Sequence, residues 1–292
     1  MKTKISLIIL SWNTKNLLRN CLKSVISQSK LSLSEMEIIV VDNASTDGSQ
    51  EMVSKEFPEV KLIKNKQNLG YAKGNNLGVR AASADFLMIL NSDTLIKPGS
   101  IEKLIDFLEA SPGLSIVGPR LLNSDGTPQA NCGRFPDLWV SAVMLFKEHF
   151  GGSRLVRYSP SVSGGVDWLM GAAFLARKKV FEKIGGFDEK IFMYMEEVEW
   201  FYRAKQAGFK AYFLKEAEIV HLGRGSSTTG RKEPILNIYK GLIYFFRKHK
   251  SLPELIILRV MLKLKAGMAW LVGKVRQDQY LINTYGEAFK LV

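Results

Sequence analysis

Residues 86–93 read FLMILNSD. Five apolar side chains in succession, closed by Asn91-Ser92-Asp93, describe a strand buried on both faces that ends in a polar turn. A strand with one face in water would alternate apolar and polar positions instead. Working outward, Ile5–Leu10, Glu37–Val41 and Val60–Ile63 have the same character. Between them, Asn16–Ser27, Ser49–Lys55 and Lys73–Ala82 carry helix-period patterns. Strand–helix–strand repeats at this spacing predict an α/β domain with a mostly parallel sheet and right-handed crossovers. Ligands of such sheets sit beyond the carboxyl ends of the strands. That directs attention to Asn13, to Asp42-Asn43 and to Asn91-Ser92-Asp93, which follow the first, second and fourth runs.

The 292 residues are 46% hydrophobic and 24% charged, a globular composition that excludes disorder, collagen and a disulfide scaffold. Cys21 and Cys132 lie in no CxxC or Cys/His cluster, which suits a reducing compartment and argues against structural zinc. The formal charge is +13, of which +8 falls within residues 231–292. Such basicity favours polyanions such as nucleic acid, anionic lipid or phosphorylated substrates. No nucleic-acid recognition motif accompanies it, so nucleic acid is not an expected partner.

The opening apolar run Ile5–Leu10 is shorter than a signal-peptide core of about 7–15 residues, and a buried strand explains it better. Leu255 to Gly273 is apolar but carries Arg259, Lys263 and Lys265. Each would cost about 2.5–3.5 kcal/mol at the centre of a spanning helix, so a transmembrane reading is poor. At helical period Ile257, Val260, Met261, Leu264, Met268 and Leu271 share one face, with Arg259, Lys263 and Lys274 on another. This basic amphipathic helix is expected to lie on an anionic membrane, or to pack on the domain or in a homodimer. Residues 119–165 are rich in loop formers, including Pro119, Pro128, Pro136 and Pro160, and their order is expected to depend on ligand. Val166 to Val220 reads strand, helix, Gly185-Gly186 turn, helix and short strand, followed by a flexible Gly/Ser/Thr segment from His221 to Gly230.

Neither GxGxxG after the first strand nor GxxxxGK[ST] occurs, so dinucleotide and P-loop fingerprints are absent. Asp42, in IVVDNASTDG (39–48), is suited to a ribose hydroxyl or base N–H, whereas Asp47 before Gly48 suits an Asx-turn or helix cap. Asn91 and Asp93 alternate and so reach one site; an amide and a carboxylate are hard ligands for Mg²⁺ or Mn²⁺ shared with phosphates. In GGFDEKIFMYMEEVEWFYR (185–203), Glu196, Glu197 and Glu199 crowd a helix start. Dipole attraction and a Glu199–Arg203 pair explain one or two of them; three suggest a general base beside a second carboxylate. His221 and Arg224, in HLGRGSST (221–228), could complete a metal–diphosphate site.

These segments, together with SWN (11–13), NLGYAKGNN (68–76), WLMGAAFLARKKVF (168–181) and YKGLIYFFRKH (239–249), occur in an order that resembles the family 2 glycosyltransferases, in their bacterial rhamnosyltransferase-like branch. The resemblance spans about residues 5–250. It implies a GT-A fold, Rossmann-like and mostly parallel with helices on both faces, plus a C-terminal helical appendage. Residues 1–230 would be the catalytic domain and 231–292 the basic helical region. It implies inverting, metal-dependent transfer from a nucleotide-sugar donor to a saccharide or polyprenyl-diphosphate-linked acceptor in cell-surface polysaccharide synthesis, at the cytoplasmic face of the membrane. The branch favours dTDP-rhamnose; a UDP-hexose donor, or a non-catalytic sugar-nucleotide-binding protein, are the alternatives. By resemblance, Asp42 would contact base or ribose. Trp12, Asn13, Gly70, Lys73 and Asn75 would shape the nucleotide pocket, with Asn91 and Arg224. Asp93 and His221 would hold Mn²⁺ or Mg²⁺, and Trp168, Gly171 and Ala172 would line the sugar or acceptor pocket. Glu197 stands where the family has a catalytic Asp and is one methylene longer; Glu196 is the alternative base.

Overall fold

The computed structural model describes residues 3–150, 156–223 and 232–292, with the side chains of residues 147–150 left aside. Most of the Gly/Ser/Thr segment, Arg224 included, lies outside the described residues.

The predicted repeats form. β1 (Ile5–Ser11), α1 (Lys15–Gln28), β2 (Met36–Asp42), α2 (Ser49–Glu56), β3 (Lys61–Lys64), α3 (Gly70–Ala81) and β4 (Phe86–Asn91) succeed one another. β3, β2, β1 and β4 are parallel neighbours. β1 pairs with β2 from Ile5↔Met36 to Ser11↔Asp42, so both strands deliver their polar ends to one edge. Nearly every residue of β1, β2 and β4 is buried, as continuous apolar runs require when helices cover both faces.

The rest of the sheet was less legible. After β5 (Thr94–Ile96), α4 (Ser100–Glu109) and β6 (Ile116–Leu122), the chain runs through β7 (Cys132–Gly133), α5 (Leu138–Phe150), β8 (Arg157–Tyr158), β9 (Gly164–Val166) and β10 (Trp168–Leu169), of which only β9 joins the main sheet. The chain then enters that sheet as β11 (Ala173–Arg177), antiparallel between β4 and β6. α6 (Lys178–Ile184) and α7 (Glu196–Gln206) follow, then β12 (Ala211–His221), parallel to β6 and antiparallel to β5 and β9. The order is β3-β2-β1-β4-β11-β6-β12-β5. β7, β8 and β10 form a separate three-stranded antiparallel sheet. The middle segment thus contains ordered elements whose two-residue strands leave no periodicity to read.

Three helices close the chain: α8 (Lys232–His249), α9 (Leu252–Arg276) and α10 (Gln279–Leu291). α8 buries Leu236, Tyr239, Leu242, Phe245 and Phe246 in the same core cluster as Phe174, Phe187 and Trp200. Each such burial contributes about 1.5–3 kcal/mol. Packing therefore runs unbroken from the sheet into the first tail helix. α9 starts at a capping box between Ser251 and Glu254 and packs inward through Leu255, Leu258, Leu262 and Ala266. Its opposite side carries the stripe predicted from sequence. Ile257, Val260, Leu264, Met268 and Leu271 are exposed, Leu264 at 58% and Leu271 at 59%, and Met261 is only partly buried. The stripe is not spent on this chain's own core. Among the described residues no helix is long and apolar enough to cross a membrane.

Candidate active site

The strand ends open into one cleft of about 1250 Å³. Trp12, Gly70, Asn91, Asp93, Trp168, Gly171, Ala172, Glu196, Glu197 and His221 all line it, residues drawn from six separate stretches of chain. Asn13, Asp42, Lys73 and Asn75 do not. Asn13 adopts φ +52° and joins two strand-end loops, its Oδ1 accepting from the Thr46 N–H at 2.8 Å. Lys73 is exposed, and buried Asn75 donates to the Tyr71 carbonyl in its own helix. Asp42 is buried behind the rim; Oδ1 accepts from Ser45 N–H (2.9 Å) and Gln50 Nε2 (2.6 Å), while Oδ2 has no partner among the described residues. Asp47 is structural, accepting from the Lys15 and Ser49 N–H groups at the starts of α1 and α2.

The cleft floor is tied together by short polar contacts. Thr14 Oγ1 lies 3.0 Å from Ser11 Oγ and 2.9 Å from Ser92 Oγ, linking the end of β1 to the Asn-Ser-Asp turn. The Asn91 N–H donates to the Ala172 carbonyl at 2.9 Å. Asn43 Nδ2 reaches the Gly70 carbonyl at 3.1 Å, holding the start of α3 against β2. Gly70 has φ +78°, and a Cβ there would meet the Phe192 carbonyl oxygen at 2.5 Å, so only glycine fits. Gly171 lines the cleft and is also tightly packed from behind. A Cβ would strike the Tyr71 hydroxyl at 2.5 Å, which donates to the Gly171 carbonyl at 2.6 Å.

Pairing of β12 with β5 sets His221 opposite Thr94 and brings His221 Nε2 within 3.3 Å of Asp93 Oδ1. Gln129 Nε2 donates to the His221 carbonyl (3.2 Å) and to Asn123 Oδ1 (2.9 Å), leaving Oε1 facing His221 Nδ1 at 2.7 Å. An amide oxygen accepts, so Nδ1 carries the proton and Nε2 is aimed at Asp93. This is how a second sphere orients a metal-binding imidazole. Among the described residues no cluster of three or more His, Cys, Asp or Glu could hold a metal. The Asp93–His221 pair nevertheless fits a divalent ion that takes its remaining oxygens from phosphate and water.

Across the cleft, α7 begins at Glu196 behind two consecutive left-handed residues, Tyr194 (φ +65°) and Met195 (φ +76°). Glu196 is buried, Glu197 is partly open, and Oε2 of each lacks a hydrogen-bond partner among the described residues. Burial, then the neighbouring Glu197 charge, pushes the Glu196 carboxyl well above the ordinary range. Burial also raises Glu197, but Arg157 and the nearby Val198 and Gly171 N–H groups favour its ionised form. The environments thus separate two adjacent carboxyls into a neutral one and an ionisable one.

Arg157 was not anticipated. Hemmed in by protein yet open to the cleft, it is the only Arg or Lys lining it among the described residues. It donates through Nε to the Ala130 carbonyl at 2.9 Å. No periodic signal could have found it, since β8 is two residues long. Tyr71, Gln129 and Tyr194 were missed likewise. Burial pushes both cysteine thiols up to about 12, so neither is a nucleophile.

A family model described as "Glycosyl transferase family 2" matches residues 6–199. The chain belongs to glycosyl transferase family 2. This family 2 glycosyltransferase is 31% identical over 214 residues to an N-acetylglucosaminyl-diphospho-decaprenol L-rhamnosyltransferase of Mycobacterium tuberculosis, covering 67% of this chain and 69% of the relative. That likeness supports the rhamnosyltransferase-like branch. It is 26% identical to the low-salt glycan biosynthesis hexosyltransferase Agl10 of Haloferax volcanii, over 76% of this chain and 68% of the relative. Among solved structures, the mannosyltransferase PcManGT from Pyrobaculum calidifontis, in complex with GDP-Man and Mn²⁺, superposes with a TM-score of 0.59 at 17% identity. The match covers 100% of this glycosyltransferase and 81% of that chain. S. aureus TarS superposes at 0.57 and 15% identity, over 90% and 43% of the two chains. The fold is GT-A, as the sequence resemblance implied.

Proposed function

We propose that this glycosyltransferase moves a sugar, with inversion, from a nucleoside diphosphate donor to a polyprenyl-diphosphate-linked saccharide, with dTDP-rhamnose the favoured donor. One observation carries the reading: the Asp93–His221 pair and the Glu196–Glu197 pair line the same cleft. The rhamnosyltransferase relative, named for an N-acetylglucosaminyl-diphospho-decaprenol acceptor, supports the donor and acceptor classes.

In this reading the nucleotide lies over the strand ends, near Trp12, Asn43, Gly70 and Asn91. Asp42, expected from sequence to contact base or ribose, is buried behind this surface and does not itself line the cleft. Mn²⁺ or Mg²⁺ held by Asp93 and His221 would supply positive charge to the diphosphate. Arg157 adds a guanidinium from the opposite wall. Glu197 takes the proton of the acceptor hydroxyl, whose oxygen bonds the anomeric carbon as the bond to the diphosphate oxygen breaks. The nucleoside diphosphate leaves with that electron pair. Glu196 stays protonated and keeps a second negative charge away from Glu197.

The exposed stripe of α9, with Lys263 and Lys274 exposed beside it, supports peripheral binding to an anionic membrane, where a lipid-linked acceptor would be met. Tail deletion from residue 251 is expected to reduce co-sedimentation with phosphatidylglycerol vesicles. Equal sedimentation, with dimers seen by light scattering, would assign the stripe to a second copy. The donor reading is tested by calorimetric titration of dTDP-rhamnose, UDP-glucose and UDP-N-acetylglucosamine, with and without Mn²⁺. Metal-dependent binding of one donor, lost in Asp93→Ala, is expected; equal affinity in the variant would remove Asp93 from the metal site.

A further inference from the structure

The turn that presents Glu196 and Glu197 is strained and has no cap of its own. Two successive non-glycine residues with positive φ cost about 1–3 kcal/mol each, and α7 has no side-chain N-cap hydrogen bond. Something outside the turn must hold it, and it is gripped from two sides. On the nucleotide side, the Tyr71 N–H donates to the Phe192 carbonyl at 2.7 Å. On the other side stands the first tail helix. A Cβ on Gly241 of α8 would lie 2.8 Å from both Cβ and Cγ of Met195 and 3.1 Å from the Tyr194 carbonyl oxygen. The helix backbone is therefore in contact with the two left-handed residues.

The same face of α8 is bolted on either side of that contact. Gly241, Tyr244, Phe245, Lys248 and His249 recur at helical period. Tyr244 Oη and Lys248 Nζ donate to Asp188 Oδ2 at 2.7 and 2.6 Å, fixing the chain before the turn. Lys248 Nζ and His249 Nε2 meet Glu199 Oε1 at 2.7 and 3.1 Å, fixing the helix after it. Arg203 completes this anchor through Nε to Glu199 and through its terminal nitrogens to the Ile184 and Gly186 carbonyls.

We infer that α8 is a positioning element of the catalytic site, with Gly241 the residue that lets its backbone hold Tyr194 and Met195 and so aim Glu196 and Glu197 into the cleft. The inference rests on the transferase reading for its kinetic consequence, but the geometry it describes does not. It also gives the tail a task apart from membrane binding, since α8 reaches the pair from behind whatever covers α9.

The experiment compares wild type, Gly241→Ala and Gly241→Ala/Met195→Gly. Glycine at 195 removes the clashing Cβ and Cγ and accepts positive φ without strain. With dTDP-rhamnose and an N-acetylglucosaminyl-diphospho-polyprenol acceptor, Gly241→Ala is expected to lower kcat by about 10²-fold with donor KM nearly unchanged. The double variant should recover much of that loss. Carboxyl ¹³C titration of glutamate-labelled protein reads the pair without substrate. Two carboxyls should titrate above the ordinary range in wild type, move towards it in Gly241→Ala, and return in the double variant. Unchanged kcat and titration in Gly241→Ala would overturn the inference. So would loss of both together with donor binding and the melting transition, because the contact would then hold the whole fold. Elevated wild-type carboxyls that respond to Gly241→Ala, without transfer from any donor, would uphold the positioning and sink the transferase reading.

Discussion

Glu197 and Glu199 stand two positions apart on one helix and have opposite surroundings. Glu199 is at 0% exposure, yet Arg203, Lys248 and His249 surround its carboxylate. Glu197 is partly open to the cleft, and its Oε2 has no hydrogen-bond partner among the described residues. A buried charge persists when it is paired; Glu197 has the Arg157 charge and nearby backbone N–H groups to favour its ionised form, and it faces the cleft. Compensation, rather than burial, therefore separates the anchoring face of α7 from its reacting face.

The largest effect should come from the reacting face. Glu197→Gln is expected to lower transfer by about 10²–10⁴-fold while nucleotide affinity stays within a factor of about two. If transfer survives and Glu196→Gln is inactive, the roles of the pair are reversed. The anchoring face should respond in stability. Glu199→Ala leaves Arg203, Lys248 and the His249 imidazole without their carboxylate and is expected to cost about 3–5 kcal/mol, read by urea denaturation. An unchanged midpoint would break the contrast, since Glu199 would then be as dispensable as a surface charge.

The smallest effect concerns pH. The folded-state pKa of Glu196 is raised above its ordinary value of 4.5, so folding favours its protonated form. Its contribution is intact below the ordinary value and is lost as pH rises through the elevated one. Glu196→Gln should therefore stabilise the fold by about 1–3 kcal/mol at pH 8 and leave it unchanged near pH 4. Denaturation at both pH values checks this, and equal effects at both would show that folding does not raise the Glu196 carboxyl. Transfer itself should rise with pH, with a midpoint above that of a free glutamate, because burial also raises Glu197.

Much of the nucleotide half of the cleft was legible because the residues that make strands also announce where they end. FLMILNSD (86–93) carries both its burial and its polar terminus in one line of sequence. The opposite wall was legible only in Trp168, Gly171, Ala172 and the Glu196–Glu197 pair. Arg157 and Tyr158 belong to a two-residue strand paired with Cys132 and Gly133, which has no repeat to betray it. Gln129 was invisible for another reason, since its role is set by a carbonyl and an imidazole ninety-two positions away. Among the three crowded glutamates, the i, i+4 partner of Glu199 was readable, but Lys248 and His249 come from a helix about fifty residues on.

The sequence by itself determined the parallel half of the sheet, the polar strand ends, the apolar stripe of α9 and the family, because each is written in local periodicity or in contiguous motifs. Tertiary structure alone decided that β11 enters the sheet antiparallel, that Gly171 packs against Tyr71, and that α8 stands behind the Glu196–Glu197 turn. These depend on which distant backbones approach within a few ångströms of each other, a property of packing that no single segment contains.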